Sequence, residues 1–216
     1  QGRIPTQVSQ FRRPAQHIHA SLLPDGLEVR PVTRNRHRES PRSAAQKITD
    51  NGYKLSTGFL GTSILNQTLS AEGMDDLAYD LLLQRENPSW LYSVDQGATT
   101  IWERWDSYTK EGGSTSTVIM NSFNHYSYGV VSEWMFRYVG GIEADETQPG
   151  FKHIILQPTP DFRTAFPTGQ KRITQAKASH LSGYGRISSE WQYKEDGRIS
   201  YTATVPANTT ATLYLP

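Results

Sequence analysis

Gly140-Gly141-Ile142-Glu143-Ala144-Asp145-Glu146-Thr147-Gln148-Pro149-Gly150 divides this chain into two kinds of pattern. The paired glycines stop a helical run, and the acidic stretch ending in Pro-Gly reads as a connector. Ahead of it, apolar residues recur every three to four positions. Met74, Leu77, Ala78, Leu81 and Leu82 fall at the spacing of one buried helix face, with Asp75, Asp76 and Asp80 elsewhere on the cylinder. Leu60, Ile64, Leu65 and Leu69 predict a second apolar stripe ending near Gly73, and Ala44 to Ile48 the end of a helix that closes at Asn51-Gly52. Tyr126, Val130, Trp134 and Tyr138, at steps of four, predict a helix over 121–138. Behind the connector the period falls to two. Phe151 to Leu156, Ile173 to His180, Arg186 to Tyr193, Arg198 to Val205 and Thr210 to Leu215 read as strands, with Asp196-Gly197 as a hairpin turn. The chain is thus expected to be mixed and two-domain: helical over 43–141, then a small antiparallel β-sandwich over 142–216. The last strand runs directly into Pro216, which predicts an edge in need of a partner or a continuation.

Residues 1–42 fit neither pattern. The run Arg30 to Arg42 is polar and proline-punctuated, and the first 42 residues use eight Arg and no Lys, where the rest uses seven of each. Their net charge is +5 against −4 for the remainder. No aromatic residue interleaves the arginines of the Arg30 to Arg42 run, so a nucleic-acid arm is a poorer reading than a disordered or out-of-frame stretch. Across the chain, 22 basic residues balance 21 acidic ones, which leaves no general field for nucleic acid or an anionic membrane. No apolar run approaches the roughly 20 residues of a membrane span. Cys is absent, so disulfide and thiolate chemistry are excluded. No metal site and no cofactor is expected; compartment and oligomeric state stay open.

Chemistry is concentrated in Gly97-Ala98-Thr99-Thr100-Ile101-Trp102-Glu103-Arg104-Trp105-Asp106, where one carboxylate lies between two tryptophans. Sugar rings present apolar C–H faces that stack on indoles, while their hydroxyls and scissile oxygen need a few fixed polar groups and an acid able to move protons. The plainer alternative is a solvated loop acid whose tryptophans plug a core.

This stretch, together with Asn51 to Thr62, Asn87-Pro88-Ser89-Trp90-Leu91-Tyr92, Ser122-Phe123-Asn124-His125-Tyr126-Ser127-Tyr128-Gly129 and Ala178 to Gly185 with Glu190-Trp191, closely resembles the bacterial α-L-rhamnosidases of glycoside hydrolase family 78. The likeness covers Ser43 to Pro216; in the first forty-odd residues only Gly2 to Gln7 and Leu22 to Gly26 look like remnants of it. It implies the later part of an (α/α)6 toroid followed by the family's C-terminal β-sandwich, and hydrolysis of terminal α-L-rhamnosyl linkages with inversion, one acid protonating the leaving oxygen while a second carboxylate activates water. On the resemblance, Glu103 is the general base and His125 a rhamnose contact. Trp102 is expected to touch the sugar, Trp105 to floor the pocket or buttress Glu103. The substrate implied is a rhamnose-containing glycoside or polysaccharide. The family's general acid belongs to a motif upstream of these, and nothing in residues 1–42 matches it. Asp95, Asp106, Glu111 and Glu133 are acids near the motif without a counterpart as proton donor. The expectation is therefore a rhamnosidase fragment holding half of a catalytic pair, inactive alone; a non-catalytic sugar-binding protein and an inactive remnant are the alternatives.

Overall fold

The computed structural model describes residues 6–11, 27–31, 39–114 and 120–215. In chain order the elements are strands β1 (Thr6–Phe11) and β2 (Leu27–Pro31), helices α1 (Glu39–Asp50), α2 (Phe59–Ala71), α3 (Asp75–Leu83) and α4 (Trp90–Asp95), and a small hairpin of β3 (Tyr108–Thr109) and β4 (Gly113–Ser114). A 3-10 turn (Ser127–Val130), helix α5 (Val131–Trp134) and a π turn (Met135–Val139) lead into β5 (Ile142–Ala144), β6 (His153–Leu156), β7 (Gln175–Ser182), β8 (Gly185–Tyr193), β9 (Ile199–Thr204) and β10 (Thr210–Leu215). The chain forms two compact units. One holds the described residues of 34–134 with 162–172, the other those of 1–33, 135–161 and 173–215.

In the helical unit, α1 closes as its Asn-Gly signal predicts. Gly52 takes φ +65, its N–H bonds the Thr49 carbonyl, and the Tyr53 N–H reaches back to Ile48, the pair of bonds that ends a helix through a left-handed residue. The same pair closes α2 at Gly73. On α3, Leu77, Ala78, Leu81 and Leu82 are buried as their spacing requires. Asp80 is buried as well, because Arg163, only 1% exposed, donates to its Oδ1 at 2.7 Å. Arg163 belongs to the segment 162–172, which the sequence reading assigned to the strand-rich half and the structure folds into the helical unit.

The α2 stripe is overturned in orientation. Leu60 is 88% and Ile64 62% exposed, whereas Thr62, Asn66, Leu69 and Ser70 are buried. The buried face is polar because it satisfies neighbours that cannot be left unpaired. Ser70 Oγ accepts the Trp134 indole N–H at 2.8 Å, and Asn66 Nδ2 donates to the Ala78 carbonyl of α3 at 3.1 Å. The helix expected over 121–138 begins only at Ser127, since the preceding residues are held by the segment around Glu103. Among the described residues the helices do not close into a barrel.

The second unit contains two four-stranded sheets, ordered β1-β9-β8-β7 and β2-β10-β6-β5. All five strands expected from alternation are present, and Ile187, Trp191, Ile199, Tyr201, Ile154, Leu156, Ala211 and Leu213 are their buried residues. The first sheet is antiparallel throughout. The second corrects the antiparallel expectation, for β10 runs parallel to both β2 and β6. Between β6 and β10 the chain visits the other sheet, so no hairpin constrains their sense. Nor is β10 an edge, being paired on both sides. Ile142–Ala144, expected to be connector, pairs with β6 as β5. β1 and β2 were not anticipated; most of the Arg30 to Arg42 run lies outside the described residues. The Gly140-Gly141 stop is enforced by crowding. A Cβ at Gly140 would lie 2.5 Å from the Ala178 Cβ, and one at Gly141, where φ is +70, 2.2 Å from the Pro158 nitrogen.

Candidate active site

Two segments far apart in sequence lie side by side in the helical unit. The Glu103 N–H bonds the Ser122 carbonyl at 2.9 Å, the His125 N–H bonds the Ile101 carbonyl at 2.8 Å, and the Thr100 hydroxyl donates to the Phe123 carbonyl. These bonds explain why 121–125 is not helical, since its backbone partners lie across the chain. They also bring together Glu103 and His125, two residues the sequence singled out separately.

The half-buried Glu103 side chain turns back on the same pairing. Its Oε2 accepts the Ser122 N–H at 2.6 Å. Ser122 therefore holds Glu103 through both its backbone groups, and Oε1 is left as the oxygen that can take a proton. Neighbouring acids are engaged elsewhere: Asp95 pairs with Arg85 and Asp106 with Arg104. Glu111 is exposed beyond β3.

Around the carboxylate the aromatic residues divide into two groups. Trp102, 7% exposed, is packed edge-on against Phe123 (centroids 5.6 Å) and Tyr108 (6.3 Å). Trp105 lies almost flat on Tyr128, with ring centroids 3.7 Å apart and planes 22° from parallel, and meets Trp90 edge-on at 5.6 Å. Tyr128 in turn tilts against Phe59 at 4.9 Å, and Phe59 stacks on His125 at 4.7 Å and 16°. His125 Nδ1 receives the Ser127 N–H at a long 3.4 Å, which assigns the ring proton to Nε2. Burial pushes the Tyr128 phenol above its ordinary value of 10.0, so it is neutral near pH 7. Ser122, Phe59 and Tyr128 were not singled out from sequence, although all three stand within the quoted motifs. Their roles arise from a backbone N–H and from ring contacts across tens of residues, which leave no periodic signal.

A separate open cavity of about 460 Å³ is bordered by Asn51, Lys54, Gln84, Arg85, Glu86 and Gln170 and contains none of the expected site residues. No group of three metal-ligating side chains occurs among the described residues, and no helix there is long and apolar enough to cross a membrane.

With this geometry in hand, comparison is decisive about kinship. Residues 15–139 match the bacterial α-L-rhamnosidase six-hairpin glycosidase domain, and residues 141–216 match the bacterial α-L-rhamnosidase C-terminal domain. The chain belongs to the bacterial α-L-rhamnosidase family. The first match begins inside the stretch that the sequence reading set apart. An α-L-rhamnosidase of Streptomyces avermitilis is 43% identical over 199 residues, and one of Formosa agariphila 41% identical over 171; these spans are 92% and 79% of this chain. The crystal structure of the Streptomyces avermitilis α-L-rhamnosidase complexed with L-rhamnose aligns over 82% of this chain at 40% identity and a TM-score of 0.72. That of native α-L-rhamnosidase from Aspergillus terreus aligns equally well at 37% identity. This chain spans 17% of the length of the two curated relatives, and 16% and 19% of the two crystallised chains.

Proposed function

We propose that this chain carries the base-bearing part of an inverting α-L-rhamnosidase, acting on terminal α-L-rhamnosyl groups of glycosides or polysaccharides. On this reading α1 to α5 are later helices of an (α/α)6 toroid. The observation that carries the proposal is the doubly held Glu103, whose carboxylate is anchored at Oε2 while its backbone is locked to the segment bearing His125. Oε1 takes a proton from a water molecule as that water attacks the anomeric carbon from the face opposite the leaving oxygen. His125 offers Nε2–H to a ring hydroxyl, and Trp102, largely buried, contributes through the wall it builds. The general acid must stand roughly 6.5–9.5 Å from Glu103 to leave room for water and sugar. The family resemblance puts the general acid in a motif upstream of those matched here, so on this reading the acid comes from sequence other than this chain.

The test is a hybrid enzyme in which residues 39–215 of this chain replace the matching segment of the Streptomyces avermitilis relative. Glu103→Gln in the hybrid should lower kcat at least about 100-fold and leave KM almost unchanged, because proton abstraction is lost while the sugar still binds. Near-normal turnover by that variant would remove Glu103 from the role. A folded but inactive unsubstituted hybrid would favour a sugar-binding or inert segment.

A further inference from the structure

We propose that Tyr128 is a positioning residue for both ends of the site, setting Glu103 through Trp105 and His125 through Phe59. The inference rests on the roles given above to Glu103 and His125. Tyr128 is 7% exposed in the middle of an unbroken series of ring contacts, with Trp105 flat on it and Phe59 tilted against it. Trp105 stands two residues after Glu103, and Phe59 lies flat on His125. The Tyr128 carbonyl is itself fixed, accepting the Trp90 indole N–H at 2.8 Å, and Trp90 closes the group by meeting Trp105 edge-on.

A second observation brings the same turn against the Glu103 segment from another direction. Gly129 lies so close to Ile101 that a Cβ there would be 3.3 Å from the Ile101 Cγ1. Ile101 is the residue whose carbonyl takes the His125 N–H. The segment bearing Glu103 is thus held by Ser122 and His125 through hydrogen bonds and by Tyr128-Gly129 through packing. Tyr128 enters this arrangement through its ring, which touches Trp105 on one side and Phe59 on another. Stacked rings fix both separation and tilt, and an error of about 1 Å at a reacting group costs on the order of 100-fold in rate.

A residue that only filled a core would lower the amount of folded enzyme and leave the folded fraction kinetically normal. Positioning predicts a split instead. In the hybrid, Trp105→Leu should lower kcat about 10-fold or more with little change in KM, and Phe59→Leu should raise KM and weaken L-rhamnose binding by about 10-fold with little change in kcat. Tyr128→Leu should do both, and Tyr128→Phe, which keeps the ring, should do neither. Folded fraction is matched by melting curves, and the Phe variant covers the case in which Leu fails to fold, since it must remain kinetically normal while Trp105→Leu and Phe59→Leu diverge. Three Leu variants with normal constants per folded molecule, or with the same uniform loss, would overturn the proposal. Should Glu103→Gln and His125→Ala themselves be without effect, the functional reading fails first, and the Tyr128 variants have nothing to position.

Discussion

His125 shows how a side chain acquires a direction. The Ser127 N–H occupies Nδ1 and Phe59 covers one face, so the ring has its Nε2–H as the remaining donor. A ring that turns an N–H outward suits the oxygen of a sugar hydroxyl. His125→Ala in the hybrid should therefore weaken L-rhamnose binding by about 1–3 kcal/mol, the scale of leaving a buried hydroxyl without its partner, and isothermal titration measures this directly. Unchanged affinity would return His125 to a packing role. At this scale the sequence drew attention to the side chains proposed to form the site and was silent about what holds them. Glu103 stood out as a carboxylate between two tryptophans, and His125 only through the family resemblance. The Ser122 N–H that grips Glu103 belongs to the backbone, which every residue but proline possesses.

Among elements, strands were the most legible, because alternation survives when one face of a sheet is buried. Ile187, Ser189 and Trp191 of β8 and Ile199, Tyr201 and Ala203 of β9 are buried in register, as a period of two demands. Tyr201 makes a measurable consequence of that burial. Desolvation drives its phenol far above the ordinary 10.0, with the Ser189 hydroxyl at 3.0 Å as a smaller opposing influence. Unfolding returns the phenol to a value near 10, so above that pH the unfolded chain gives up a proton that the folded one keeps. Stability contributed in this way is complete below about pH 10 and declines as pH rises, by up to about 1.4 kcal/mol per pH unit from this group. Tyr201→Phe should cost about 0.5–1.5 kcal/mol at pH 8 and flatten the decline between pH 10 and 11.5, measured from urea midpoints of both proteins. An equally steep decline in the variant would rule the phenol out as its source. Helix α2 was misread for the converse reason. Its period was right, but Asn66 and Ser70 face inward because Ala78 and Trp134 supply partners that no local pattern announces.

For the whole molecule, the two compact units part between Trp134 and Met135, ahead of the change of period near Gly141, and two further differences come from tertiary structure. Residues 162–172 join the helical unit, held by Arg163 on Asp80 and by Arg163 lying over the Tyr79 ring. β1 and β2 enter the sheets from a stretch whose composition gave no sign of strands. The functional proposal has its own consequence at this scale. With one member of a carboxyl pair present, the 216-residue chain alone should leave natural rhamnosides uncleaved, any residual turnover being confined to activated aryl rhamnosides whose leaving group hardly needs protonation. Purified chain followed on both substrate types against a boiled control tests this. Robust release of rhamnose from a natural glycoside would mean that an acid within the chain, Asp95 or Asp106 first, leaves its ion pair to act as the donor.

The bonds joining 100–103 to 122–125 bear on how such a protein can diversify. The β3–β4 hairpin lies between the two halves of a clasp that is closed by main-chain bonds, with Trp105 held against Tyr128, so the hairpin's length has little say in where Glu103 and His125 stand. Doubling a flexible loop adds only about 0.6 kcal/mol to the entropy of closing it. Lineages are accordingly free to lengthen, trim or rewrite the β3–β4 hairpin without retuning the pair beneath. Insertions and deletions among homologues should gather between the two halves of the clasp and be scarce within them.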